Sequence, residues 1–130
     1  FIKDISSETP NIQSYIYVKE NISKYHLSID ISSEPLKNKM IEVSTTLKFE
    51  DKEPNDKKSY FEIIYVSIVK IDEDIKDKKD LEKIILSDVQ NDIYPNLEKA
   101  FLDLLHNSGF PEVKLEKKVD FNKLFNERSN

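Results

Sequence analysis

The sequence predicts an α+β fold in a single domain spanning residues 1–130: a four-stranded antiparallel sheet, then a long interrupted helix and a short C-terminal helix. Three observations predict it. Apolar and polar residues alternate with period two in the first half of the chain, most cleanly over 41–50, as in a strand with one covered and one solvated face. The period changes to that of a helix from Leu81 onward, where side chains three and four apart share a face. The strands all precede the long helices, an order that favours an antiparallel sheet over βαβ units.

In chain order, residues 1–8 (FIKDISSE) are partly alternating and read as a strand that ends at the turn cluster Thr9-Pro10-Asn11. Residues 11–24 hold Ile12, Tyr15, Ile16, Tyr17, Val18 and Ile22 without a clean period. They read as an extended loop running over a hydrophobic surface. Residues 25–33 place Tyr25, Leu27, Ile29 and Ile31 on one face, and residues 41–50 do the same with Ile41, Val43, Thr45, Leu47 and Phe49. Residues 34–39 form the turn between them, and 51–59 (DKEPNDKKS) a polar hairpin loop.

The strand over 60–71 is apolar on both sides. Phe61, Ile63, Tyr65, Val69 and Ile71 face one way, and Tyr60, Ile64, Val66 and Ile68 the other. Such a strand is covered on both faces. The second face calls for the 11–24 loop, another layer, a partner chain or a bound client. Residues 72–80 (DEDIKDKKD) are a solvated charge run. They are not a calcium loop, because Asp77 and Lys83 stand where glycine and glutamate are required.

Leu81, Ile84, Ile85 and Val89 begin a helical arm interrupted near Asn91. Residues 91–111 then read as a helix with both ends marked. Asp92 is the expected N-cap and Pro95 falls in the expected first turn. Ile93, Leu97, Ala100, Phe101, Leu104 and Leu105 form one stripe, and Gly109 and Pro111 end the helix. Residues 112–119 read as short and extended, and 120–127 as a final helix capped by Asp120 that buries Phe121, Leu124 and Phe125.

Composition excludes several function classes. A net charge of −5 with one arginine, Arg128, argues against nucleic acid as a partner. The absence of cysteine removes disulfides, thiolate metal sites and a thiol nucleophile, and fits a reducing compartment. One glycine in 130 residues rules out a glycine-rich phosphate loop. No apolar run nears the roughly 20 residues that span a bilayer, so no direct membrane insertion is expected, and no signal peptide is visible. The start at Phe1 rather than Met implies that a few native residues precede it. His26 and His106 have no metal-spaced or catalytic neighbours, and the carboxylates sit in lysine-rich stretches. The chain is therefore not expected to be an enzyme or to hold a cofactor or metal.

Two distant stretches resemble the bacterial export chaperone family SecB. Phe1-Ile2-Lys3-Asp4-Ile5-Ser6-Ser7-Glu8-Thr9-Pro10-Asn11 is similar to that family's first strand. Tyr94-Pro95, the amphipathic helix, Gly109-Phe110-Pro111 and the ending Asp120-Phe121-Asn122-Lys123-Leu124-Phe125 follow the family's order and spacing, with Ile41-Glu42-Val43 between. The resemblance implies a SecB-like fold and a cytoplasmic homotetramer, a dimer of dimers. It also implies a chaperone that holds unfolded polypeptide clients without ATP and passes preproteins to the motor SecA. On this reading the client groove comprises Tyr15, Ile16, Tyr17, Val18 and Ile22 in the loop, Tyr25, Leu27 and Ile29 on the strand, and Val113, Leu115 and Leu124. Leu97, Phe101, Leu104 and Leu105 on the helix, with Ile64, Val66 and Ile68 on the strand, would form the oligomer interface.

Asp4 and Glu8 match the family's acidic SecA contacts. A third acid is not matched, since Ile63 stands there with Glu62 beside it. Ser7 replaces a usual phenylalanine, and the groove tryptophan is missing. A SecB-like chaperone of a toxin–antitoxin system, binding an antitoxin tail, is the alternative within the class. A binding or scaffold protein with one fixed partner is the alternative outside it.

Overall fold

A computed structural model describes residues 1–52, 59–72, 77–115 and 119–129. Residues 53–58 of the 51–59 loop, 73–76 of the 72–80 charge run and 116–118 of the 112–119 segment lie outside the described residues. Four strands are present: β1 (Ile2–Glu8), β2 (His26–Pro35), β3 (Met40–Glu50) and β4 (Tyr60–Lys70). They form one antiparallel sheet in the order β1-β4-β3-β2. The expected strand over 60–71 is thus a central one, paired on both sides.

Register fixes the two faces. Opposed residues of paired strands project to the same side. Leu27↔Phe49, Ile29↔Leu47, Leu47↔Ile63 and Ile5↔Ile63 therefore share the inner face. Ser28↔Lys48↔Glu62↔Ser6 share the outer one. The alternation read from 25–33 and 41–50 holds throughout. At the β2–β3 turn, Asn38 and Lys39 both adopt positive φ, 63° and 59°, and the Leu36 N–H donates to the Met40 carbonyl at 2.8 Å.

The segment 11–24 departs from expectation. It is not an extended loop but a helix, α1 (Ile12–Glu20), followed by a 3₁₀ turn (Ile22–Lys24). Asn11 caps it, its side chain accepting from the Ser14 N–H at 2.9 Å and the Ser14 hydroxyl at 3.1 Å. The aromatic and β-branched residues of α1 are poor helix formers, which hid it from pattern reading.

The helical arm also differs in its start. It runs from α2 (Lys78–Lys83) through a π-helical segment (Ile84–Asp88) into α3 (Val89–Asn107). Asp92 is therefore inside the helix rather than its N-cap, and Pro95 lies within α3 rather than at the start of a fresh helix. The interruption expected near Asn91 takes the form of the π turns a few residues earlier. Widened turns leave backbone carbonyls to be satisfied by other groups. Here the fully buried Gln90 side chain donates to the Ile85 carbonyl at 3.1 Å and accepts from the Thr45 hydroxyl at 2.9 Å. A β3 side chain thereby fixes the arm's register on the sheet.

Leu97, Phe101 and Leu105 of α3 are 0–1% exposed against Leu47, Phe49, Phe61 and Ile63 of the inner face. At about 1.5–3 kcal/mol each, their burial contributes on the order of 5–9 kcal/mol, an upper bound. A second cluster joins Val43, Ile85, Leu86 and Phe125. Phe125 comes from α4 (Phe121–Ser129), capped by Asp120 as expected, whose side chain accepts from the Lys123 N–H at 3.0 Å. Ser87 in the π segment donates to Asn122, tying α4 to the arm.

Candidate functional site

The most distinctive site is an aromatic row at the end of the inner face nearest α1. Tyr15, Phe110, Phe61, Phe49 and Tyr25 follow one another with ring centroids 5.3, 5.7, 6.3 and 5.4 Å apart, within the range of favourable aromatic pairs. Gly109 makes the closest approach in the row. Its φ of +106° is strained for any side chain, and a Cβ there would lie 2.6 Å from the Tyr15 ring. The Tyr15 hydroxyl donates to the Gly109 carbonyl at 3.0 Å. The chain's one glycine therefore ends α3 and seats α1 at the same point. The Tyr17 hydroxyl donates to the Asp51 carboxylate at 3.2 Å. Burial, then the charge of Asp51, then Tyr17, push the Tyr25 phenol up to about 12.

The expected groove residues divide by depth. Val18, Tyr25 and Val113 are buried and belong to the floor. Val18 has no exposed surface in this conformation. Tyr15, Tyr17, Ile22, Leu27 and Ile29 are half-buried and packed against the same cluster. Ile16 is exposed on the outer side of α1. A cavity of about 280 Å³, lined by Lys19, Ile22, Phe110, Glu112 and Val113, opens beside α1. Leu115 is half-buried. Leu124 is exposed on α4, the helix docked against the π segment, so the structure does not gather it with the α1 group. Phe110, Phe49 and Phe61 were missed as site residues. The signal for Phe110 was its place after the only glycine; for the other two it was their inward parity on the strands over 41–50 and 60–71.

The outer face has the opposite character. Asp4 and Glu8 are exposed on β1 and flank Ser6, which pairs with Glu62. Glu62, not Ile63, thus shares the face of Asp4 and Glu8, because one residue along a strand reverses the side. Ile63 is fully buried on the inner face. The Glu62 carboxylate lies 3.6 Å from the Lys48 ammonium. A hydrogen bond to Glu62 is the main reason the Tyr60 phenol is pushed up to about 12, with burial next and then the charges of Glu62, Asp4 and Glu50. Glu42, Glu50, Asp30 and Glu34 lie on the same face by register, with Lys48 and Lys70 as the lysines among them. The face is acidic.

The residues expected at an oligomer interface are partly used up by the chain itself. Leu97, Phe101 and Leu105 have essentially no surface left and are core. Leu104 and Ile64 are half-buried and Ile68 is 58% exposed, whereas Val66 is 2% exposed and bonded on both backbone groups to Phe1. Leu104, Ile64 and Ile68 are the members that keep apolar surface.

Among the described residues no cluster of histidine and carboxylate side chains could hold a metal, and no helix is long and apolar enough to cross a membrane. His106 is hydrogen-bonded through Nε2 to the Val113 carbonyl at 2.9 Å, bracing the loop after α3.

The fold is a four-stranded antiparallel sheet carrying one long interrupted helix, with an aromatic apolar side and an acidic outer face. The comparison with known families is specific. The profile described as "Preprotein translocase subunit SecB" matches residues 1–130, and the chain belongs to the SecB family of protein-export chaperones. It is 57% identical over 130 residues, all of this chain and 93% of the relative, to the "Putative protein-export protein SecB" of Pelagibacter ubique. It is 23% identical over 128 residues, 98% of this chain and 79% of the relative, to the "Protein-export protein SecB" of Bartonella bacilliformis.

Proposed function

We infer that this protein is an ATP-independent holdase that keeps unfolded preproteins export-competent in the cytoplasm and delivers them to SecA. The observation that carries the reading is the separation of two surfaces on one small fold. The α1 side offers half-buried Tyr15, Tyr17, Ile22, Leu27 and Ile29 around an aromatic floor. Such a surface binds through dehydration of apolar side chains and accepts many sequences. The outer sheet face offers the exposed Asp4 and Glu8 beside the buried Glu62, suited to a basic surface on a partner. Assembly as a dimer of dimers would cover apolar surface that this chain leaves exposed, the half-buried Leu104 of α3 included.

The decisive experiment is suppression of aggregation of several unrelated denatured proteins, followed by light scattering without nucleotide. Protection at near-stoichiometric ratios is expected. A folded protein that protects none of them at severalfold excess would end the holdase reading. For the partner, Asp4→Lys with Glu8→Lys and Glu62→Lys should abolish SecA binding and leave client binding intact; SecA binding that survives all three removes this face from the role.

A further inference from the structure

We propose that the π turns at Ile84–Asp88 are one position of a two-position register switch in the helical arm, and that the docking of α4 selects that position. The other position is an unbroken α-helix, in which residues 78–86 turn by one residue against the sheet while α3 stays in place.

The two registers differ by one hydrogen-bond step. The Val89 N–H donates to the Ile84 carbonyl, five residues back, where an α-helix would use Ile85. The extra residue puts Ile85 on the buried side of the arm with Gln90. Unbroken α spacing from Gln90 would put Leu86 and then Glu82 there instead, a turn of about 100°. Leu86 is buried already and suits either position. Ile85 would move out and Glu82 would move in. The space for Glu82 exists: a cavity of about 330 Å³ lies beside it, lined from the sheet by Ile31, Ser32 and Ser33. The two serines offer hydroxyls to an incoming carboxylate.

Widened turns are uncommon and have to be held. Two sets of contacts hold these, and both belong to the π register. Thr45 keeps the Gln90 amide turned onto the Ile85 carbonyl, and both side chains are fully buried. From the other side, the fully buried Ser87 donates to Asn122 of α4, and Phe125 of α4 packs with Ile85 and Leu86. Because these groups sit elsewhere in the α register, α4 binds one position better than the other, and the coupling is mutual. Departure of α4 frees the π turns, brings Ile85 to the surface and withdraws Glu82. Relaxation of the π turns in turn releases α4.

The chain has no cysteine, so single thiols can report on each side of the arm. Ile85→Cys and Glu82→Cys are made separately, and their rates of reaction with an aromatic disulfide reagent are measured. Each is combined with Asn122→Ala and Phe125→Ala, which weaken α4, or with Thr45→Val and Gln90→Leu, which remove the buried bonds. The second pair replaces both polar partners by apolar groups and should fold normally. Asn122→Ala alone, at an exposed position, carries the first arm of the test should Phe125→Ala unfold the chain. Either pair should raise the Ile85→Cys rate and lower the Glu82→Cys rate, each by at least about threefold. Any other pattern, whether both rates rising, as simple loosening would give, or neither moving, overturns the switch. Tryptic cleavage after Lys123 in α4 should also rise roughly fivefold with Thr45→Val and Gln90→Leu. Unchanged cleavage would overturn the coupling to α4.

Discussion

Helices α1 and α3 pack against the same inner face, yet they are stabilised in different ways. In α3 the apolar residues recur at helical spacing, and Leu97, Phe101 and Leu105 point into the core as a continuous stripe. In α1, Ile12 and Ile16 face out while Ser14 and Val18 face in, and aromatic residues lie between. The first helix is written in its own sequence. The second exists because Asn11 caps it and because Tyr15, Tyr17 and Val18 find partners far along the chain, at Gly109, Asp51 and the aromatic floor. A helix of the first kind is scaffold; one of the second kind can come off its seat at modest cost.

The largest effect that would sharpen this contrast is Phe101→Ala. Removing a fully buried ring from α3 should cost about 3–5 kcal/mol, seen as a lower urea midpoint for the whole domain. Val18→Ala, equally buried but on α1, should shift that midpoint far less while speeding tryptic cleavage after Lys19. Comparable midpoint losses would break the distinction. Next in size is Thr45→Val, which leaves the buried Gln90 carbonyl without its donor and should cost about 1–3 kcal/mol. Because that bond holds the π segment on β3, its loss should loosen the arm and leave α1 protected.

The smallest effect is a pH dependence at the α1 end. The Tyr25 phenol is raised from 10.0 to about 12 in the folded chain, mainly by burial. A raised phenol contributes its stability in full below pH 10, where both states are neutral, and loses it as pH rises through about 12. Near-ultraviolet circular dichroism should therefore show loosening between those values, and Tyr25→Phe should flatten that part of the profile. An unchanged profile would mean that Tyr25 does not sense the ionisation.

The same contrast explains what could be read from sequence. The strands alternate, and each expected strand is present within two residues at either end, because one face is covered and the other wet. The end of α3 was legible in Gly109, whose positive φ only glycine tolerates easily. Its beginning was not, because Asp92 resembles a cap while the chain continues helically through π turns that depend on Gln90 and Thr45, 45 residues apart. Asp4 and Glu8 were legible as acids on an edge strand. Glu62 as their companion required the register of β4 against β1. The depth of Val18 and Tyr25 was not legible, since it is set by Phe110 and Phe61 from distant elements.

Native-state hydrogen exchange resolved by residue tests the central claim most directly, that α1 is a separately opening element on a rigid sheet-and-α3 scaffold. Amides of α3 around Leu97 to Leu105 should exchange only with global unfolding, and their protection should fall with urea at the full slope. Amides of α1 should exchange faster through a local opening that is nearly insensitive to urea. Equal protection and equal urea dependence in the two helices would contradict the account and make α1 part of the same cooperative core.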